Sequence, residues 1–192
     1  MDATDSKSTT RSRTFTWDDS RVTLAGVRGL SGLDALKAVI AGRLPSPPMG
    51  RLMNIRLVDV ERGYVVFEAT PEEYHYNPMG MAHGGLAATL LDSAMGCCVH
   101  SHLDAGDRYT TLEIKVSYLK AMTTETGLVR AIATIVHLGR TVALAEARLV
   151  DASDIIYAHA TSTCLIKRSD QGSDRGDQIA GPRDQGSESS GS

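Results

Sequence analysis

The segment from Leu86 to about His100 constrains the fold more than any other part of the chain, because it is apolar on nearly every side. Its spacing predicts a helix, and a helix without a polar face must be buried all round. With 192 residues and 42% hydrophobic content, the chain is long enough for one domain with one sizeable core. We therefore expect the rest of the domain to cover this helix.

Strand-like segments rich in β-branched and aromatic residues lie on both sides of the helix segment. They are residues 52–60, 64–69, 111–119, 128–138, 141–150 and 155–166. Their short connections exclude a parallel sheet, which needs a long crossover between neighbouring strands. Alternating alanines in the last three segments predict a sheet face on which a helix can lie closely. The sequence thus predicts an α+β hot dog fold, a curved antiparallel sheet of five to six strands wrapped around one long central helix.

The chain is expected to contain one folded domain at residues 21–168. Within it, Ser31 is a predicted N-cap for a short helix over residues 31–42, and Gly42 and Pro45 end that helix. Residues 1–20 and 169–192 are polar and aperiodic, which predicts disordered tails at both ends.

Composition excludes several classes of partner. The net charge of −3, from 20 basic and 23 acidic residues, favours neither nucleic acid nor an anionic membrane surface. The sequence has no signal peptide and no run of membrane-spanning length, so a cytoplasmic protein is expected. An odd set of three cysteines suits neither a disulfide framework nor a zinc site, and it favours a reducing compartment.

Most of the reactive chemistry lies between Asn77 and Asp92. Gly84 and Gly85 stand where the central helix begins, and unpaired N–H groups there would stabilise an oxygen that gains negative charge. Asp92 is a carboxylate on an otherwise apolar helix, about 12 Å further along the axis at about 1.5 Å per residue. This separation is too large for one chain to use both groups on one carbonyl. A symmetric dimer with antiparallel central helices would bring them together in two identical sites.

The pattern Asn-x5-His-Gly-Gly-x6-Asp, with its hairpin, helix and later strands, resembles the hot dog acyl-CoA thioesterases of the phenylacetate-pathway type. That group also resembles 4-hydroxybenzoyl-CoA thioesterase. The resemblance covers residues 45–167. It implies hydrolysis of an acyl-CoA to the free acid and coenzyme A by a homodimer or a dimer of dimers. Because a thioester is electrophilic and its thiolate leaves readily, one carboxylate and an oxyanion site can suffice, so no metal and no cofactor is expected apart from the coenzyme A of the substrate.

Carried over by position, the resemblance assigns roles to particular residues. The Gly84 N–H would bind the thioester oxygen, and Asp92 of the other subunit would act as base or nucleophile. Thr111 would position the attacking water, while His83 and Asn77 would order the loop. The remaining expected substrate contacts are Gly85, Met81, Arg140 and Thr141, with Arg140 a candidate for the phosphates of coenzyme A.

Two other functions remain open on the sequence alone. The same pocket could bind acyl-CoA without hydrolysing it, or the fold could carry hydratase or dehydratase chemistry. The acyl group could be aromatic or of medium chain length, since methionine-rich walls such as Met79 and Met81 adapt to many shapes.

Overall fold

The computed structural model describes residues 9–169 of the chain. Its helices are α1 (Ser20–Gly26), α2 (Gly32–Ile40), α3 (Pro48–Met53) and α4 (Gly84–His100). Its strands are β1 (Ile55–Glu61), β2 (Tyr64–Ala69), β3 (Arg108–Tyr118), β4 (Val129–Leu138), β5 (Val142–Val150) and β6 (Ile156–Lys167). Short 3-10 turns lie at Glu73–His75 and Thr124–Thr126. Over this range, no helix is long and apolar enough to cross a membrane.

The strands form one six-stranded antiparallel sheet in the order β1-β2-β4-β5-β6-β3. Helix α4 packs against this sheet, which confirms the predicted α+β hot dog architecture. The alanines that alternate along the strands share the core with α4, and each is at most 2% exposed. They are Ala131, Ala133, Ala143, Ala145, Ala147, Ala158 and Ala160. Small side chains on this face let the helix lie close to the sheet.

The region before the first strand differs from the prediction. The strand predicted to start at Leu52 starts at Ile55, because Pro48–Met53 form helix α3. Proline at the start of a helix loses no hydrogen bond there and has the right backbone angle. Asn54 ends the helix in the left-handed conformation, with φ of 53°, and its N–H donates to the Gly50 carbonyl. The predicted hairpin between β1 and β2 is present, with its turn at residues 62–63.

The N-terminal helices flank this region. The helix predicted from Ser31 forms over Gly32–Ile40, and the Ser31 hydroxyl accepts the Asp34 N–H at 3.2 Å. Helix α1 was not predicted; the Asp19 carboxylate caps it by accepting the Arg21 N–H.

Of the predicted tails, residues 1–8 and 170–192 lie outside the described residues. Arg13, in the first predicted tail, donates to the Leu52 carbonyl at 2.8 Å.

Strand β3 is an edge strand that pairs only with β6 among the described strands. A β-bulge between Thr111 and Glu113 shifts its register. The sequence alternation predicted Leu112 on the same face as Ile114, and this is wrong because the bulge leaves Leu112 59% exposed. A bulge adds one residue to a strand and so reverses the facing of the residues beyond it. Thr111 consequently points toward α4.

The turn before β3 supplies a pH-dependent contact. Burial opposes ionisation of Asp107, but the Ser169 N–H and Arg168 guanidinium, both 2.8 Å away, lower its pKa on balance. A carboxyl whose pKa is lowered in the folded state stabilises the protein at pH values above its unfolded-state pKa of about 3.9. This stabilisation is lost as the pH falls through the folded-state pKa.

Asp107→Asn is expected to lower the free energy of unfolding by about 1–3 kcal/mol at pH 7, because hydrogen bonds to a buried charge are lost. Urea unfolding at pH 7 and at about pH 3 measures the effect, which should shrink at the lower pH. Asp104→Asn, at an exposed carboxylate in the same turn, is the matched control. An equal loss at both pH values would show that charge on Asp107 is not the cause.

Candidate active site

The loop before α4 is held by His75. Its Nδ1 accepts the Glu72 N–H at 3.0 Å, and its Nε2 lies 3.0 Å from the Met53 carbonyl oxygen. Burial lowers the pKa of His75, so a neutral imidazole that donates from Nε2 fits both contacts. The His75 carbonyl accepts the His83 N–H at 2.7 Å. This hydrogen bond fixes the residue from which the central helix starts.

Asn77 shapes the next part of the loop. Its Oδ1 accepts the Met79 N–H at 2.9 Å and the Met81 N–H at 3.4 Å. Its backbone N–H donates to the Met81 carbonyl at 2.8 Å. The side-chain oxygen therefore orders the loop. The amide nitrogen of Asn77 has no hydrogen-bond partner within residues 9–169 and is the part of the side chain left to meet a ligand. Met79 is 74% exposed.

The start of α4 presents one backbone donor rather than two. His83 is the N-cap, and its Nδ1 accepts the Gly85 N–H at 2.9 Å. The expectation that both glycine N–H groups are unpaired is therefore wrong for Gly85. The Gly84 N–H has no acceptor within residues 9–169. Exposed His83 thus acts as a cap, which leaves Gly84 as the donor at the positive end of the helix dipole.

Gly84 lines a cavity of about 310 Å³. Its walls are Asn77, Met81, Ala82, Gly84, Ala87, Tyr118, Leu119, Lys120, Ala121, Met122 and Tyr157. A Cβ atom on Gly84 would lie 3.1 Å from the Tyr118 ring, so the absence of a side chain allows this ring to lie over the helix start. We refer to this space as the glycine cavity.

Asp92 lies eight positions further along α4 and faces β3. The Thr111 hydroxyl donates to Asp92 Oδ1 at 3.1 Å, and the β3 bulge is what keeps Thr111 on this side. No partner to Asp92 Oδ2 is found in the described part of the chain. The carboxylate therefore has one oxygen held and one oxygen available for chemistry.

The cavity that contains Asp92 has a volume of about 270 Å³, and we refer to it as the aspartate cavity. Its walls come from α2, the α2–α3 connection, α3, β1, β2, β3 and α4. Asp92 is the one charged residue among the described residues that line it. They are Leu36, Val39, Ser46, Pro47, Met49, Gly50, Ile55, Leu57, Phe67, Asp92, Ser93, Gly96, Cys97, Tyr109 and Thr111. A single carboxylate in an apolar cavity suits an apolar substrate group with one reactive centre beside it.

The ionisable neighbours of Asp92 stay neutral at physiological pH. Burial, with smaller contributions from Cys98 and Asp92, raises the pKa of Cys97 to about 12. Burial likewise raises the pKa of the Tyr109 hydroxyl well above its usual range. All three cysteines of the chain are free thiols. No thiolate nucleophile is therefore available beside the carboxylate at neutral pH.

Seven of the nine predicted site residues fall into three groups. The other two, His83 and Gly85, lie at the start of α4 and line neither the glycine cavity nor the aspartate cavity. Asn77, Met81 and Gly84 line the glycine cavity, whereas Asp92 and Thr111 line the aspartate cavity. The two cavities share no residue. The third group is Arg140 and Thr141, which are exposed in the β4–β5 turn and line neither cavity. One chain therefore does not unite the carboxylate with the helix-start donor.

Three of the lining residues that sequence reasoning missed are Tyr109, Tyr118 and Lys120. Tyr109 lies two positions before Thr111 on the same face of β3, so strand alternation could have identified it. Tyr118 and Lys120 lie at the far end of β3 and just beyond it, next to Gly84. Their position depends on how the edge strand meets the helix start, which no local pattern encodes.

Residues 79–158 match the sequence model of the Thioesterase superfamily. The 1,4-dihydroxy-2-naphthoyl-CoA hydrolase of Listeria monocytogenes is 25% identical over 116 residues, which cover 60% of this chain and 93% of that protein. Together these matches confirm the resemblance predicted from the Asn77 to Asp92 pattern.

Solved structures with the same fold include a phenylacetic acid degradation-related protein from Ralstonia eutropha, with 24% identity and a TM-score of 0.62. The match covers 68% of this chain and 98% of that one. The phenylacetic acid degradation protein of Thermus thermophilus has 23% identity and a TM-score of 0.57, with coverage of 64% and 100%. These two likenesses concern the fold of the chain.

Proposed function

We propose that this thioester hydrolase of the Thioesterase superfamily cleaves an acyl-CoA to the free acid and coenzyme A in a site shared by two copies of the chain. The observation that carries the proposal is the division of the reactive groups between two cavities. Asp92 has a free carboxylate oxygen in one cavity, and Gly84 has a free N–H in the other. Each group needs a partner that residues 9–169 of its own chain do not supply.

Strand β3 supports a twofold pairing of chains. An edge strand offers unpaired backbone groups to another strand. Exposed apolar side chains accompany this edge: Leu112, Tyr118 and Leu119. Two copies that meet along β3 in antiparallel orientation would set the helix start of one chain against the middle of α4 in the other. Two identical sites would result, each with Gly84 from one subunit and Asp92 from the other.

The chemistry uses these two groups together. The thioester oxygen accepts the Gly84 N–H, which stabilises the negative charge that develops on it; one such donor is worth about 3 kcal/mol of barrier. Asp92 Oδ2 either takes a proton from the attacking water or attacks the carbonyl carbon itself. In the first route the water oxygen forms the new C–O bond, the C–S bond breaks, and the proton taken by Asp92 passes to the thiolate of coenzyme A. In the second route Asp92 forms a mixed anhydride as the C–S bond breaks. Water then hydrolyses the anhydride, which releases the acid, restores the carboxylate and supplies the proton that the thiolate takes up. The Thr111 hydroxyl holds the other carboxylate oxygen in place.

The acyl group is expected to occupy the aspartate cavity, whose remaining walls are uncharged. An aromatic acyl group is consistent with the Listeria relative, which is named as the hydrolase of a naphthoyl thioester. A medium-chain acyl group is the other class in the proposal. Free Cys97, Cys98 and Cys164 support action in a reducing, cytoplasmic compartment.

Release of free thiol from a panel of aromatic and straight-chain acyl-CoAs tests the function. We expect turnover of at least one class, with the oligomer measured on the same sample as a dimer or a dimer of dimers. Tight binding of acyl-CoA without thiol release would instead indicate a binding protein. A change in enoyl-CoA absorbance without thiol release would indicate hydratase chemistry.

The contact with the coenzyme A phosphates is a separate prediction. Lys120 is exposed at the glycine cavity, whereas Arg140, the candidate named from the sequence, lies at the β4–β5 turn. Lys120→Ala is expected to raise the KM for acyl-CoA about 2- to 5-fold at low salt, the effect of losing one exposed charge contact. Arg140→Ala, measured in parallel, serves as the matched comparison. A rise in KM for Arg140→Ala alone would assign the phosphate contact to the turn.

A further inference from the structure

The face of α4 that carries Asp92 continues through Gly96 to His100, at four-residue intervals that place all three in line. The aspartate cavity lies beside the first two of these residues. A larger cavity, of about 690 Å³, lies beside His100. We refer to it as the distal cavity. The aspartate cavity and the distal cavity thus lie one after the other along the same face of α4.

The distal cavity has apolar walls from helices α1 and α2 and from the segment between them, supplied by Leu24, Val27, Leu30 and Ala35. Its charged lining residues include both signs: Arg28, Arg108, Asp104 and Asp107. Such a lining suits an apolar chain better than an anionic group. The distal cavity is also large enough for a ligand, since ligand sites typically have volumes of about 300–1,000 Å³.

Among the described residues, Tyr109 alone lines both the aspartate cavity and the distal cavity. Its ring lies against Gly96: a Cβ atom on Gly96 would be 2.8 Å from the Tyr109 hydroxyl oxygen and 3.0 Å from Cε2. The centroid of the Tyr109 ring also lies 5.6 Å from that of the His100 ring. Glycine at position 96 therefore makes room for the ring, and the ring stands between the two spaces.

We propose that Tyr109 is a specificity-determining residue that ends the acyl pocket, so that the enzyme accepts compact acyl groups and excludes long ones from the distal cavity. The inference rests on the proposed function, because it takes the aspartate cavity as the acyl pocket. An acyl chain that extends from a thioester beside Asp92 along α4 meets the Tyr109 ring near Gly96. Removal of the ring joins the two cavities into one longer pocket.

The test compares the full-length wild-type protein with Tyr109→Leu and Tyr109→Phe. Binding of S-alkyl-CoA thioethers of graded chain length is measured by calorimetry, and hydrolysis of the matching acyl-CoAs by thiol release. The wild type is expected to lose affinity beyond a medium chain length. Tyr109→Leu should shift the ratio of long-chain to short-chain affinity by at least about tenfold, as methylene-scale changes in a pocket do. Tyr109→Phe keeps the ring and should keep the wild-type length limit.

The two proposals fail in different ways. Suppose that Tyr109→Leu changes the length limit in thioether binding but that no acyl-CoA releases thiol. This result supports the role of Tyr109 at the end of the pocket and rejects the proposed hydrolysis. Hydrolysis with the same chain-length profile in wild type and Tyr109→Leu rejects the role of Tyr109 and leaves the proposed hydrolysis standing. If Tyr109→Leu does not fold, Tyr109→Trp provides the opposite test, because a larger ring must shorten the length limit; an unchanged limit overturns the inference.

Discussion

Replacement of Asp92 by asparagine is expected to lower kcat for acyl-CoA hydrolysis by about 10²- to 10⁴-fold, the usual contribution of a base or acid in the transition state. Asparagine keeps the size of the side chain and an oxygen that can accept the Thr111 hydroxyl. The substitution removes the negative charge on the free oxygen. Thiol release at saturating substrate measures kcat, and calorimetry with a thioether analogue measures binding, which should stay within about threefold of wild type.

Two further variants separate the carboxylate from its surroundings. Thr111→Val removes one hydrogen bond to Asp92 and should lower kcat by about tenfold, the equivalent of roughly 1–1.5 kcal/mol. Glu113→Gln changes an exposed carboxylate on the same strand and serves as the control, because Glu113 lines neither the glycine cavity nor the aspartate cavity. Turnover of Asp92→Asn within a few-fold of wild type would remove Asp92 from the mechanism. A Thr111→Val effect as large as that of Asp92→Asn would make the threonine more than a positioning residue.

The sequence predicted those parts of the fold that depend on periodicity. Helix α4 was predicted from an apolar segment with no polar face, and the buried alanines from their alternation in β4, β5 and β6. The β1–β2 turn was predicted from Gly63, which adopts φ of 79°. In each case the residue type and its spacing contain the information. The division of Asp92 and Gly84 into separate cavities was also predictable, since helix geometry fixes their separation.

Sequence patterns did not predict the features that depend on helix capping, on strand pairing or on contacts between distant elements. Leu52 has strand-like neighbours, but Pro48 starts a helix that Asn54 ends, so the local capping residues outweigh β propensity there. The bulge at Leu112 depends on how β3 pairs with β6, which alternation along one strand does not report. The contact between Tyr109 and Gly96 joins two elements, and neither residue stands out alone.

Replacement of Gly84 by proline is expected to lower kcat by about 10²- to 10³-fold, because it removes the backbone N–H proposed to bind the thioester oxygen. The helix should survive this change. Gly84 is the first residue of α4, where proline is well tolerated, and His83 has φ of −59° and ψ of 138°, as a residue before proline requires. Gly84→Ala is the matched control: it introduces the same Cβ atom next to Tyr118 but keeps the N–H. It should retain at least about tenfold more activity than Gly84→Pro.

The shared site can be tested by combining the two defects in one dimer. A heterodimer of one Asp92→Asn subunit and one Gly84→Pro subunit can be purified through two different tags. Under the shared-site model it has one site with both defects and one site with neither. If each site takes Gly84 from one subunit and Asp92 from the other, this heterodimer should recover about half of the wild-type activity, although both parent homodimers are nearly inactive. A site built within one subunit gives two defective sites and an inactive heterodimer. Full activity of a monomeric form would equally reject the shared site, since the carboxylate and the helix-start donor lie in separate cavities of one chain.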